Sequence, residues 1–565
     1  MNPCSMTSLS RQSLRRWVLG VCAGPLLCAS VHAADGAPPS RPTDSDEAGI
    51  EQNRQAQELV SGQTYEKPGD TRSASEPAPE EGDKAAPRSE LTPSTSARPV
   101  PYDSSRFAHD PAYPAGYDAA AQQQVYGGKK KVENSPRPAI EWGYPQYDTG
   151  MLPDSKDWFG RKNLARPQFM VFGDWRSAVA DNNNTGKNET GQVATRLNLD
   201  FDFALTGTER IHWSMRPLDK GGQFTREEFS GNHRSTRSEL NGNFNTAFFE
   251  GDLGAITAGL TDNYQGWDLP IAIGLTPLFV QNGVWLNDAV SGAAFTIPAR
   301  NSPMLNISNM DITFFAAGSL LSTAALRNKD GSLADHAGQI AGVTLFADVL
   351  SGYLEAGYGY TRDMRHFAGG DFGYHNLTAA FTRRYLGLVS NSIRVIVNFG
   401  QSPPPGAPKT ADGYLILLEN SFVTAHELTL VPYANFWYGV HHPQSLARAA
   451  DAGGVLVNTG INFETDGLTG FPNLDGTAQN TFGGALGLEY LFHLDQQIVV
   501  EIADVTPHND EDGAKRPAAG NQLGFGLRYQ LPVTKAWILR ADTMYGLRDG
   551  AKDISGIRLE IRRKF

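Results

Sequence analysis

The sequence predicts an all-β fold: a transmembrane antiparallel β-barrel of about 16–18 strands behind a disordered N-terminal extension. Three observations predict it. From about residue 166 onward, apolar and polar residues alternate with a period of two, as in strands with one wet and one dry face. Helical membrane spans are ruled out. The mean hydropathy is −0.37, and the longest apolar stretch beyond the N-terminus, Pro270 to Leu286, is interrupted by Gln281 and Asn282, whereas a spanning helix needs about 20 apolar residues. The chain also opens with the pattern of an export signal, which delivers these amphipathic strands out of the cytoplasm.

Residues 1–33 have the three parts of a secretory signal peptide. Arg11, Arg15 and Arg16 are basic, Trp17 to Ala29 form an apolar core, and Val31-His32-Ala33 places small residues before a cut after Ala33. The core is too short for a membrane anchor and contains Pro25. Two other readings are discounted: twin-arginine export from Arg15-Arg16, and a lipoprotein signal, which needs a small residue where Leu27 precedes Cys28. Cys4, Cys22 and Cys28 are the chain's 3 cysteines. A mature protein without them has no disulfide framework, thiol nucleophile or cysteine zinc site.

Residues 34–140 hold 14 of the 34 prolines, with Ser, Ala, Glu and Asp filling much of the rest. Such a composition buries too little apolar surface to offset the entropy of ordering, so a disordered periplasmic segment is expected. As a coil it spans about 60 Å. Ile50 to Val60 is compatible with a short helix. Tyr102, Phe107, Tyr113, Tyr117 and Tyr126 precede the run Lys129-Lys130-Lys131. This pattern reads as a solvated linker; the competing reading is a docking strip for a periplasmic partner or the cell wall. Residues 141–165 form a transition, and 166–565 the barrel.

The clearest strand is Arg196 to Leu205. Leu197, Leu199, Phe201, Phe203 and Leu205 share one face, while Arg196, Asn198, Asp200 and Asp202 share the other. Three C-terminal windows repeat the pattern: Gln522–Leu531, Trp537–Asp542 and Ile557–Phe565. Open sheet edges are not viable in hydrocarbon, so strands that cross it must close into a barrel. Trp213, Tyr358, Tyr360, Tyr529, Trp537 and Tyr545 lie near strand ends, as interfacial girdles require. The polar faces carry both charge signs: Arg196, Asp200, Asp202, Arg216, Glu355, Arg394, Glu489, Glu501, Arg528, Arg540, Asp542, Arg558, Glu560 and Arg562. On lipid an Arg costs about 2–4 kcal/mol at the midplane, so this set is expected to line a wet pore. There it either selects solutes or braces the wall by cross-strand ion pairs.

Two segments stay open at this level. Val440 to Thr481 is the longest irregular stretch, readable as a loop folded into the pore or as an external loop. Leu269 to Leu305 is unusually apolar and reads as two strands and a turn or as an in-folded element. His508 to Gly513 has calcium-type oxygen ligands without the full loop spacing, and His441-His442 lie on opposite faces of any strand. Metalloprotease, nucleophile-elbow and phosphate-loop motifs are missing. Neither a cofactor, a metal nor an enzyme activity is expected. The net charge of −12 argues against nucleic acid as a partner.

The last strand, Arg558-Leu-Glu-Ile-Arg-Arg-Lys-Phe565, ends on an aromatic residue after alternating apolar positions. It resembles the C-terminal strand of Gram-negative outer-membrane barrels, except that Arg563 stands where that pattern has an apolar residue. The resemblance implies an outer-membrane location, contact with lipid and lipopolysaccharide, and delivery to the barrel-assembly machinery through the strand ending in Phe565. At the level of architecture the chain is similar to porins, including carbohydrate-selective and alginate-export types. That implies passive, partly selective passage of small hydrophilic solutes. Two alternatives stand beside it: a gated conduit for polymer export that recruits a periplasmic partner through residues 34–140, and an outer-membrane anchor or surface receptor.

Overall fold

The computed structural model describes residues 138–565, apart from 145, 147–153, 185–188, 221, 232, 320, 329–332, 335–337, 366, 368, 423, 425–429, 450–451, 465–466, 493–495 and 509–516. The expectations for the signal peptide, for the proline-rich segment and for Asn509 to Gly513 lie outside the described residues.

Eighteen strands form one closed antiparallel barrel. They are β1 (Gln168–Asn183), β2 (Thr190–Ala204), β3 (Arg210–Met215), β4 (Phe244–Asp252), β5 (Pro270–Val280), β6 (Leu286–Ser302), β7 (Ile307–Ser319), β8 (Gly338–Val349) and β9 (Gly352–Asp363). The second half comprises β10 (Tyr374–Tyr385), β11 (Val389–Phe399), β12 (Tyr414–Phe422), β13 (Leu430–Val440), β14 (Thr481–Leu491), β15 (Gln497–Pro507), β16 (Gln522–Pro532), β17 (Trp537–Arg548) and β18 (Ile554–Lys564). Each pairs with the next, and β18 closes on β1 from Ser555 opposite Asn183 to Lys564 opposite Asp174. Closure removes every edge, so the backbone polar groups of the wall are paired within it.

The two ends differ. At one end the connections are mostly tight turns, such as Leu350-Ser351 and Leu386 to Leu388. Leu350 and Ser351 both adopt left-handed backbone, φ 53 and 56°, which a two-residue hairpin demands and which Asn-Gly would supply more easily. The longest connection at this turn end carries the only α-helix among the described residues, α1 (Leu253–Thr261), capped by Asp252. The opposite, loop end carries residues 216–243, 320–337, 400–413, 441–480 and 508–521. The strand β3 is short, and above it a hairpin of Gln223–Ser230 and His233–Arg237 pairs with β2 instead.

Both ends of the described chain sit at the turn end. A short strand, Ile140–Gly143, pairs with β1 at Gln168 to Val171. The backbone of Phe565 exchanges two hydrogen bonds with Gly173 just beyond it. Arg563, the departure from the apolar pattern, stands opposite Trp175 on β1 and Trp537 on β17, its guanidinium 5.4 Å from the Trp537 ring centre. A cation on an aromatic face at the membrane boundary is stable where a mid-bilayer arginine is not.

The outer face is apolar. Val179, Val193, Ile273, Leu377, Val500 and Leu559 are all exposed strand residues on that face. Aromatic residues cluster at both rims. Phe201 stacks on Trp213 at 5.0 Å and Trp142 lies 5.6 Å from Phe169 at the turn end. His375 stacks on Phe399 at 5.2 Å, and Tyr438 on His508 at 4.7 Å, at the loop end. An apolar band between two aromatic girdles is what a bilayer selects.

Candidate functional site: the in-folded loops and the charged arc

The inner face is identified by what packs on it. Residues 441–480, open to two readings in the sequence, fold inward. Their apolar residues Val455, Leu456, Phe463 and Leu474 are buried against Ile396, Leu415, Leu417, Trp437, Ala503 and Met544 of the wall. The tip of the β5–β6 hairpin also folds in, so Leu269 to Leu305 is both two strands and an in-folded element. Gln281, Asn282 and Gly283 turn the tip in left-handed backbone, and Trp285 is fully buried. Its Nε1 donates to Asn376 Oδ1 at 2.9 Å, and Thr378 Oγ1 donates to Gln281 Oε1 at 2.8 Å.

On this side the loop is held by neutral groups. Asn376 and Asn398 each donate a side-chain amide to the Gln444 carbonyl, at 2.8 and 3.1 Å. Tyr374 Oη donates to the Ser445 carbonyl at 2.8 Å. Residues 447–448 bridge to Leu286 and Asn287 in parallel. Close seating needs room: a Cβ on Gly357 would stand 2.7 Å from the Trp285 ring, and one on Gly359 would collide with Leu446.

Across the lumen the loop is held by charge. Glu501 on β15 accepts from Ile461 N, Asn462 N and Asn462 Nδ2, each at 2.8 Å, and from Tyr433 Oη at 2.5 Å. Glu464 of the loop takes a bidentate contact from Arg528 at 2.8 and 2.5 Å, plus Arg540 at 3.3 Å. Below it Asp542 gathers Arg528 at 2.7, Arg540 at 2.9 and Arg558 at 2.6 Å. Leu468 of the loop packs with Phe224, Ala178 and Ala194. The Phe471 ring lies 5.4 Å from the Arg558 guanidinium.

Cross-strand register puts the charged positions expected from the sequence on the face that carries these loops. Arg528, Asp542 and Arg558 form one rung. Arg540 stands opposite Glu560, and Arg562 opposite Arg176, which itself stands opposite Arg196. Arg196 contacts Asp219 at 3.4 Å. Asp200 and Arg216 share a cavity of about 400 Å³ with Asp174, Arg176 and Arg196. A second cavity, of about 210 Å³, lies between Arg176, Glu464, Arg528, Arg540, Arg558 and Glu560. Asp202 is set apart near the turn end, bonded to Arg210 at 3.2 Å.

The remaining expected positions lie elsewhere on the wall. Arg394 is buried and paired with Glu419 at 2.9 Å. Glu355 lies two strands away from it, and Glu489 lies on β14 opposite Val431 and Val499. Glu501, sheathed by the loop, has only 2% of its surface exposed.

Sequence reasoning missed Asp174, Arg176, Glu419 and Glu464. The first two alternate with Trp175 and Val179 on β1 and carried the same period-two signal as the rest. Glu419 follows Leu415-Ile416-Leu417-Leu418, apolar on both faces, and Glu464 lies in a loop with no period at all. His442, outside the strands, has its Nδ1 2.8 Å from Asp412.

An 18-stranded closed barrel with an apolar, aromatic-girdled exterior, a charged interior, short turns at one end and long loops at the other is an outer-membrane barrel of porin architecture. Solved structures of similar fold include OccK11 (OpdR) of Pseudomonas aeruginosa, 11% identical over 70% of this chain and 96% of that one, with a TM-score of 0.40. OccAB4 of Acinetobacter baumannii is 10% identical over 70% of this chain and 98% of its own, with a TM-score of 0.45. The outer membrane protein OpdK of Pseudomonas aeruginosa is 10% identical over the same shares, with a TM-score of 0.42. Neither a protein-family model nor a curated protein matches the chain.

Proposed function

We propose that the protein is a passive outer-membrane channel for small hydrophilic solutes, narrowed by residues 441–480 and biased by the arginine row on one arc of its wall. One observation carries this reading. The in-folded loop packs on the wall, yet cavities remain beside it, and those cavities are lined by Arg176, Arg196, Arg216, Arg528, Arg540 and Arg558. A structural anchor gains nothing from charges beside wet cavities, whereas a channel uses them to orient and select polar solutes. The acids Asp174, Asp200, Asp542, Glu464 and Glu560 line the same cavities and offset much of the positive charge, so the selectivity expected is partial.

The test is reconstitution of residues 34–565 in a planar bilayer under asymmetric salt. Steady conductance steps with a reversal potential displaced toward anions are expected. Folded protein that inserts without conducting overturns the channel reading in favour of an anchor or a gated conduit.

A further inference from the structure

At the loop end, above the constriction, four connections border a cavity of about 590 Å³, a volume suited to a small-molecule site. It is lined by described residues of the connections 320–337, 400–413 and 441–480 and by Pro517 of 508–521. Among the described residues its lining carries the cations Arg327, Lys409 and Arg448, the imidazole of His442, and no Asp or Glu. Arg448 is the informative one. It is buried, and its guanidinium donates to Ser445 Oγ at 3.1 Å, to the Ala452 carbonyl at 3.0 Å and to the Gly283 carbonyl at 2.5 Å, all neutral acceptors. Burial alone pulls its pKa down to about 10, so it stays charged at neutral pH. A buried cation held only by neutral dipoles keeps an uncompensated field, which an anion in the adjoining cavity satisfies. Lys409 also makes no ion pair among the described residues, and the nearby acid Asp412 is engaged with His442. The side-chain amides of Gln444 and Gln479 and the Ser322 hydroxyl also line the cavity; none has a hydrogen-bond partner among the described residues.

We propose that this vestibule is a binding site for small hydroxylated oxyanions, such as a sugar phosphate or a sugar acid, held by Lys409, Arg327 and Arg448 before they reach the constriction. The cations take the phosphate or carboxylate oxygens, and the amides and Ser322 meet the hydroxyls. The site is separate from the deeper arginine row.

Isothermal titration of the folded full chain in detergent tests it without reference to conductance, so failure here and failure of the channel reading are distinguishable. Glucose 6-phosphate and gluconate are the charged probes, and glucose is the neutral control. At least one charged probe is expected to bind, more weakly as salt rises, and glucose to give no heat. Which anion binds separates phosphate from carboxylate recognition. Lys409→Gln and Arg327→Gln should each weaken binding about tenfold, the loss of one charge-assisted hydrogen bond, and Lys409→Arg should retain it. Both variants are surface-loop changes whose folding is checked by heat-modifiable gel migration. Absence of heat from both anions, glucose binding as tightly as they do, or unchanged affinity in both glutamine variants overturns the proposal.

Discussion

From β15 through β18, the in-folded loop meets the wall through carboxylates and guanidinium groups; from β5 to β13 the wall offers it amides, hydroxyls, carbonyls and apolar side chains, the Gly283 carbonyl accepting from Arg448. Glu501, Glu464 and Asp542 carry the first set of contacts. Asn376, Asn398, Tyr374 and Trp285 carry the second. Charge-assisted bonds are individually stronger but respond to salt and protonation, and each leaves an expensive orphan if one partner is removed. Amide and packing contacts ignore both variables. The loop therefore has a fixed side and an adjustable side, and the adjustable side is the one that borders the charged cavities.

The largest expected effect comes from removing the contrast altogether. Replacing residues 443–478 by a short Gly-Ser turn should raise single-channel conductance severalfold, since both sets of contacts and the constriction go together. Next, Trp285→Ala attacks the fixed side. It empties a fully buried site and should cost about 3–5 kcal/mol in urea unfolding of the folded barrel, with the reversal potential unchanged. Glu464→Gln attacks the adjustable side. It leaves Arg528 and Arg540 with one fewer countercharge but still paired with Asp542, so neither is orphaned; a shift of about twofold in anion-to-cation permeability is expected, with a smaller stability loss than in Trp285→Ala. A reversal potential that moves in Trp285→Ala and not in Glu464→Gln would erase the distinction.

Two smaller effects sharpen it. Burial raises the Asp412 carboxyl, but the hydrogen bond from His442 and the charges of His442, His441 and Lys409 outweigh it and hold the group below its ordinary value of 3.8. A depressed folded pKa gives stability that is present above the unfolded pKa and is lost as pH falls through the folded one. Loop-end fluctuations in current should therefore stay flat down to about pH 4 and rise only below it, and Asp412→Asn should show them at neutral pH. The smallest effect is at the turn end. Leu350→Asn with Ser351→Gly relieves two left-handed residues and should stabilise the barrel by about 0.5–1 kcal/mol, with no change in current.

The same contrast explains what was legible in the sequence. Strands such as Arg196–Leu205 and Ile557–Phe565 alternate cleanly because one face meets lipid and the other meets charge or water. The strand β12 reads Tyr-Leu-Ile-Leu-Leu-Glu-Asn-Ser-Phe, and its Leu415 and Leu417 are buried under the in-folded loop while Ile416 faces outward. With apolar groups on both sides, period two disappears. Leu269 to Leu305 lost its alternation for the same reason, its tip being packed between loop and wall. A signal was present in the glycines. Gly357 and Gly359, like Gly524 and Gly526, alternate along their strands on the inner face and mark where Trp285, Leu446, Leu474 and Ile461 are seated. Glu464 left no trace, because a loop residue has no face until the loop has one.

The seam between β18 and β1 is antiparallel like every other pairing in the wall and, at ten residues, as long as most of them. Only a peptide bond is absent there, and the Ile140–Gly143 strand already lies alongside β1 next to Phe565. The order of the strands around the ring is thus independent of where the ring is cut. A circular permutant that joins Phe565 to residue 138 by a short linker and opens the chain at residues 185–188 should form the same cylinder, with its new termini released at the opposite mouth.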